Sequence, residues 1–394
     1  MSSTPRVGVW FAATFTIFFT RALLFSTWLA RGPEIKDALG LNTVQMGFFT
    51  MLHPLGALLG VIFSSVLVHR FGTKVVTLTT FGLAGAAMFS LAGAIVGGNA
   101  LVGGVSLVLI GMPMAIADYV GNYEGTRVDK AAKRSVLSAI HGAWGIGMLL
   151  GAGLSSLAIT AGLSIATHYP IIASVSVVAA VAAAFALPRH PHEDISAETK
   201  KQNRQLSIRV WTERRSLTIS LYGFAFIMAE TSAGTWVPLA LTQTGFSEAS
   251  AAFAFSIFWV VTTIVRLVGG VIVDAIGRRY TALVSTLVTA VGVTIFMNEG
   301  SPSVSYLALV LWGAGMALGF PMAISAMADD PQMAAARLNM IMTVVYLCAV
   351  SVGPILGAIG QAVGIFDSFT IPLIFLLISA ALSKVTKKEE PVTA

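Results

Sequence analysis

Along the chain, apolar runs of membrane length alternate with short polar breaks. A helix that crosses the hydrocarbon of a bilayer needs about 20 mostly apolar residues. Twelve stretches meet that demand: 7–30, 44–68, 75–97, 101–123, 135–163, 168–187, 216–242, 249–273, 280–298, 304–328, 338–363 and 368–384. Many of the 38 glycines fall inside these runs, as helix contacts in lipid favour small residues. The apolar core of a cleavable leader is only about 7 to 15 residues long. Residues 7–30 exceed that and hold Arg21 and Trp28, so they are expected to remain as the first helix.

Loop charge sets the expected direction. Take the N-terminus, the loops from even to odd spans and the C-terminal tail as one side. That side carries twenty of the 24 Lys and Arg; the other side holds only Arg31 and Lys36, and Arg21 and Arg266 lie within spans. Lys and Arg collect in cytoplasmic loops, so both termini are expected to face the cytoplasm. An odd number of spans would have scrambled the asymmetry, which also favours twelve.

Composition agrees and removes other classes. The chain is 56% hydrophobic and 11% charged, with mean hydropathy +0.83, whereas soluble domains carry about 25% charged residues. The net charge of +6 sits in short loops, without the basic stripe and interleaved aromatics of a nucleic-acid binder. The single cysteine, Cys348, excludes an internal disulfide. The six histidines are scattered and none pair at metal-ligand spacing. With no nucleophile–base pair and no phosphate loop, neither an enzyme nor a cofactor or metal is expected.

The only long polar segment, 188–215, divides the spans six and six. Its composition suits a solvated linker, and Trp211 with its flanking Arg could make part of it a membrane-surface helix. The halves 1–187 and 216–394 repeat each other. Gly111-Met112-Pro113-Met114-Ala115-Ile116 recurs as Gly319-Phe320-Pro321-Met322-Ala323-Ile324. Leu150-Gly151-Ala152 recurs as Leu356-Gly357-Ala358, and Trp28 matches Trp236. His69-Arg70-Phe71-Gly72 aligns with Asp274-Ala275-Ile276-Gly277. Two parallel six-helix halves with a binding site between them suit alternating access.

The second of those loops carries a family likeness. Gly270-Val-Ile-Val-Asp274-Ala-Ile-Gly277-Arg278-Arg279 resembles the loop signature of the major facilitator superfamily, Gly-x-x-x-Asp-Arg-x-Gly-Arg-Arg, with Ala275 in place of the first Arg. The N-terminal copy is degraded: Ser65, His69 and Thr73 replace the Gly, the Asp and an Arg, while Arg70, Gly72 and Lys74 remain. The resemblance implies an all-α integral membrane fold, with twelve transmembrane helices in two pseudo-symmetric six-helix bundles. It also implies a cytoplasmic gate at Arg70, Gly72, Asp274, Gly277, Arg278 and Arg279. There Gly277 would permit the tight turn, and Asp274 would face a helix N-terminus or a basic partner. Further residues resemble a bacterial branch that includes the rhizopine-transport protein of rhizobia and uncharacterised inner-membrane relatives. These are Trp28 with Arg31 and Pro33; Asp118 with Asn122 and Gly125; His141-Gly142-Ala143-Trp144; Glu230 with Trp236; and Arg266 with Gly269. That likeness implies a small polar solute, sugar-like or polyol-like, and a carrier that works as a monomer.

Ionisable residues inside a membrane cost several kcal/mol and mark a pathway or an internal pair. Arg21 and Glu230 each lie about 14 residues into helices that are repeat partners, about 21 Å from the cytoplasmic end at 1.5 Å per residue. They are expected to pair with each other, as a switch or as a static bond, or to share the substrate. Glu230 and Asp118 are the proton-coupling candidates, with Asp118 alternatively paired to Arg70 or Arg127 in the gate. Arg266, two turns inside the cytoplasmic edge, is assigned to the gate. His141 and His53 are read either as hydrogen-bonded between helices or as site residues, and Pro54 should kink its helix. Trp28, Trp144, Trp236 and Trp259 could stack on a ring or a cation, although interfacial anchoring would also explain Trp28 and Trp236. Tyr119, Asn122, Asn339, Tyr346 and Gln361 supply hydroxyl or amide groups; Asn339 and Gln361 could instead hold helices together.

The expected function is secondary transport of a small polar solute, sugar-, polyol- or rhizopine-like, by alternating access in a bacterial inner membrane, with the proton as coupling ion. The alternative is a drug or metabolite efflux antiporter. Drug antiporters of the resembled superfamily carry a Gly-Pro-rich signature in helix 5. Here 142–153 contains no proline, while Gly353-Pro354-Ile-Leu-Gly357 occurs at the symmetric place.

Overall fold

A computed structural model describes residues 7–132, 137–188, 205, 206, 208–298, 301–330 and 332–388. Among them there are helices and no strands. In chain order these are α1 (Val7–Ala30), α2 (Gly32–Ala38), α3 (Thr43–Val96), α4 (Ala100–Ala132), α5 (Leu137–Thr160) and α6 (Ile165–Ala186). Then follow α7 (Arg214–Gln243), α8 (Glu248–Met297), α9 (Pro302–Met327), α10 (Ala334–Val363), α11 (Ile365–Ser368), α12 (Thr370–Leu382) and a 3-10 turn, Ser383–Thr386.

Ten helical segments among the described residues are long and apolar enough to cross a membrane. Two of them are too long to do so once. The 54 residues of α3 would stretch about 80 Å at 1.5 Å per residue, against a hydrocarbon core of about 30 Å. The helix breaks at Gly72 (φ 78°, ψ 158°), and the 50-residue α8 breaks in the same way at Gly277 (φ 79°, ψ 155°). Any residue with a β-carbon is strained at such a φ, so glycine is what lets the chain turn between two spans. Among the described residues, α3 and α8 thus each carry a membrane-length stretch on either side of the break. The matched conformations of Gly72 and Gly277 show the repeat in the backbone as well as in the sequence.

The helices cluster into two compact units. One comprises Met1–Glu193 with Gly234–Val260, and the other Asp194–Ala233 with Val261–Ala394. In the first, close helix crossings depend on glycine. A β-carbon on Gly56 or Gly60 of α3 would stand 2.3 Å from the Val108 carbonyl oxygen or 2.1 Å from that of Met112 in α4. A β-carbon on Gly147 of α5 would stand 2.4 Å from the Phe19 carbonyl oxygen of α1. Lipid tails are as apolar as leucine, so association here comes from packing and hydrogen bonds. At the α1–α2 junction, Arg31 is buried. It reaches Glu34 at 2.6 Å, the Leu163 carbonyl oxygen at 2.9 Å and His168 Nδ1 at 3.4 Å, tying α1 to the α5–α6 turn and to α6. The segment Gly234–Val260 joins this unit through Ser156 Oγ, which donates to the Ala249 carbonyl at 2.8 Å, and through Gly234, packed on Leu29.

In the second unit, α9 and the second span of α8 meet as closely. A β-carbon on Gly292 would lie 2.4 Å from Trp312 N, and one on Gly315 2.3 Å from Thr289 N. Phe296, Trp312, Phe366 and Phe369 form an aromatic knot, with ring centroids 5.3 to 5.8 Å apart. Most of the expected 188–215 linker (189–204 and 207) lies outside the described residues. After it, buried Val210 packs with Met333, Ala336 and Met340. Trp211, considered for a surface helix, sits exposed in a turn.

Replacing Gly60 by Val drives a side chain into backbone that cannot yield, a cost of about 1–3 kcal/mol or more. The purified Gly60→Val protein is therefore expected to melt lower than the parent, while Gly82→Ala, with open space around it, melts with the parent. Equal melting of Gly60→Val and parent in detergent would contradict the close crossing.

Candidate functional site

In the first unit, α1 presents Phe18, Arg21, Phe25 and Trp28 at steps of three and four, so they form one stripe down the helix. Arg21 meets Asp118 of α4 at 2.6 Å. Its guanidinium lies 4.2 Å from the centroid of the Trp144 ring of α5 and 5.4 Å from that of Phe18, a cation–π arrangement strengthened by desolvation. Phe25 continues the cluster, 5.8 Å from Trp144 and 4.8 Å from His53 of α3 by ring centroids. Trp28 closes it, 5.6 Å from His53 and 5.9 Å from Phe25. Four helices thus bring an ion pair and an aromatic wall together.

Three expectations change here. Arg21 and Glu230 each find a partner inside their own unit. Arg21 bonds Asp118, and Glu230 lies 3.5 Å from Arg266. A charge taken out of water needs the nearest opposite charge, and for Arg21 α4 already supplies one. Arg266, assigned to the gate, instead reaches Glu230 while its Nε donates to the Ala317 carbonyl at 3.2 Å. Interfacial anchoring is also withdrawn for Trp28 and Trp236. Both are fully buried, 1% and 0% exposed, and neither indole N–H has a hydrogen-bond partner among the described residues.

The other candidates spread out. Asn122 Nδ2 donates to the Asp118 carbonyl. Tyr119 stacks at 6.4 Å on Tyr123, whose ring carries Arg127 at 4.5 Å. Trp259 is a core residue set edge-on to Phe255 and Phe258. Asn339 is exposed on α10 and Tyr346 half-buried further along it. His141 lies on α5, and its side chain is outside the described residues.

At the gate signature, the C-terminal copy bonds through its arginine rather than its aspartate. Asp274 is exposed and meets no cation among the described residues, and Arg70 is exposed beside the Phe71 ring. Arg279 reaches over the ring of Tyr280. Arg278, just past the Gly277 turn, forks onto Asp329 at 2.8 and 2.6 Å, and donates to Ser325 Oγ and the Thr386 carbonyl. Arg215, entering α7, meets the same carboxylate at 2.9 Å. Glu213 accepts from Arg337 Nε at 3.0 Å and from Ser216. Chiefly because of the Arg337 hydrogen bond, its carboxyl is held below the usual range, against the opposing effect of burial. Sequence reading missed Asp329 and Glu213; the available signal was an acid beside a helix end, flanked in the case of Glu213 by Arg209, Arg214 and Arg215. It also missed Glu124, fully buried in α4 and accepting from Trp10 Nε1 at 2.8 Å.

The Major Facilitator Superfamily profile matches residues 10–358 and, again, 221–393. The chain belongs to the Major Facilitator Superfamily. Among relatives of this superfamily member, an uncharacterised MFS-type transporter of Yersinia pestis is 25% identical over 377 residues, covering 94% of each chain. Membrane protein MosC of Rhizobium meliloti is 23% identical over 88% of this chain and 83% of its own. Of solved structures, the nucleoside transporter NupG superposes with TM-score 0.73 at 15% identity, covering 96% of this chain and 98% of that one. A D-xylose-proton symporter gives 0.69 at 14%, covering 96% of each. These similarities show the fold: this member of the superfamily is a multi-pass membrane transporter, not an enzyme.

Glu213 yields a pH test. Its depressed folded value means that its contribution to stability is present above the unfolded carboxylate value, about 4.3, and is lost as pH falls through the lower folded value. Glu213→Gln should therefore melt below the parent at pH 7, with the gap narrowing as pH drops below about 4. A gap independent of pH would contradict the assignment.

Proposed function

We propose that this transporter is a proton-coupled secondary carrier of a small polar solute, sugar-like or polyol-like, acting by alternating access in a bacterial cytoplasmic membrane. In this reading the six-helix halves 1–187 and 216–394, joined by the linker 188–215, rock about the solute, and both termini face the cytoplasm. The observation that carries it is the Arg21–Asp118 pair laid on Trp144. The carboxylate is committed to a guanidinium inside the membrane-spanning region, and the pair borders aromatic rings suited to a solute. Protonating Asp118 breaks the pair and frees Arg21 to donate to the solute; losing the proton restores it. Glu230 with Arg266 offers the same chemistry in the other unit. That a D-xylose-proton symporter shares the fold supports both the solute class and the coupling ion. The glycine turns at 72 and 277 and the Arg278–Asp329–Arg215 cluster are the elements assigned to the gate.

The test is solute-triggered proton uptake by proteoliposomes, followed with a pH electrode over a panel of pentoses, hexoses, polyols and bulky cationic drugs. A sugar or polyol should drive proton entry. Asp118→Asn and Glu230→Gln should each reduce that entry about tenfold or more, about 1.4 kcal/mol per factor of ten, while solute exchange persists in at least one of them. Proton movement unchanged in both variants, or triggered only by cationic drugs, would overturn the reading.

A further inference from the structure

Three buried polar atoms in the first-unit cluster have no hydrogen-bond partner among the described residues: Arg21 Nε, Trp28 Nε1 and His53 Nε2. Trp28 is 1% and His53 8% exposed, and both lie within the ring cluster that Phe25 and Trp144 complete. An unsatisfied buried donor is costly, and proteins satisfy nearly all of them. Several left open on one aromatic wall mark a place where a ligand supplies the missing partners. Guanidinium and indole N–H groups only donate, so the ligand has to bring acceptors.

Charge narrows the class. Arg21 and Asp118 already neutralise each other at 2.6 Å. A cationic solute brings an ammonium, which offers three donors and no acceptor, so it satisfies neither Arg21 Nε nor Trp28 Nε1 and sets a second positive charge beside Arg21. An anionic solute competes with Asp118 for Arg21 and carries a net charge into a poorly solvated site. An uncharged hydroxyl or ring oxygen accepts from the open N–H groups and leaves the pair intact. The rings, with centroids 4.8 to 5.9 Å apart, present flat apolar faces on which the C–H face of a saturated ring can lie.

We propose that the cluster of Arg21, Phe25, Trp28, His53, Asp118 and Trp144 selects an uncharged, ring-shaped, polyhydroxylated solute, held by an oxygen acceptor on Trp28 Nε1 and by a hydroxyl, able to donate or accept, on His53 Nε2. This rests on the carrier reading above and specifies the solute's charge and hydrogen-bonding character. Amino derivatives of the same ring are the worst ligands, and carboxylate derivatives fall between.

The experiment is thermal shift of the purified full chain, at one pH, with neutral pyranoses and cyclitols and their amino and carboxylate derivatives matched ring for ring. A ligand that binds the folded state raises the melting temperature by mass action. The expected result is the largest shift with a neutral ring, with at least tenfold weaker binding of its amino counterpart. Trp28→Phe keeps an aromatic ring and removes the open donor together with some buried volume. Measured against its own unliganded melting temperature, it should bind the neutral ring about tenfold more weakly. An amino or carboxylate ring binding best, or Trp28→Phe binding the neutral ring with parental affinity, overturns the proposal. Either result leaves solute-triggered proton uptake, and so the carrier reading, intact. No shift with any ring also overturns the proposal, and if no solute triggers proton uptake the carrier reading falls with it.

Discussion

Hydrocarbon cannot hydrogen-bond, and most of this structure follows from that. Backbone N–H and C=O groups in a bilayer must pair within their own segment, so the membrane-spanning part of the chain is helical. Lipid gives helices no hydrophobic reason to associate, so they are held where backbones approach within contact. That is why glycines at 56, 60 and 147 meet carbonyl oxygens on neighbouring helices, and why Gly292 and Gly315 meet backbone nitrogens. The same constraint governs side chains. An ionised group has no water to turn to, and Arg21, Asp118, Glu230 and Arg266 occur as pairs.

Pairing within a unit bears on how such a protein could work. A charge pair contained in one unit can open and close without help from the other. The arginine cluster around Asp329 is different in kind. It gathers side chains entering α7, leaving α9 and following the Gly277 turn, together with carbonyls near the C-terminus. Moving any of those elements has to disturb one shared carboxylate. Arg31 does comparable work at the other end of the first unit, where it joins the α1–α2 junction to α6.

Much of the architecture was legible in the residue order. The apolar runs mark the helices, and the glycines at 72 and 277 mark the turns that divide two of them. The duplicated Gly-x-Pro-Met-Ala-Ile segments announce the repeat. Part of the site was legible too, because a lone arginine in an apolar helix has to be accounted for. Its partner was not. The depth of Arg21 and Glu230 suggested each other, since sequence spacing gives height along a helix but not which neighbouring helix it faces. Asp118 on α4 and Arg266 on α8 supply the charges instead. The gate signature was read by its aspartate, yet Asp274 points outward and Arg278 makes the bonds.

The sequence by itself determined what solvent the chain requires and where its apolar runs and its repeated motifs lie. These are properties of composition and period, and they hold wherever the helices pack. Only the tertiary structure decided which charges meet and which tryptophans are enclosed rather than interfacial. It also decided which N–H groups are left without an acceptor. Those depend on helix rotation and crossing, set by close backbone contacts between residues as far apart in sequence as Gly60 and Met112, and no local pattern encodes them.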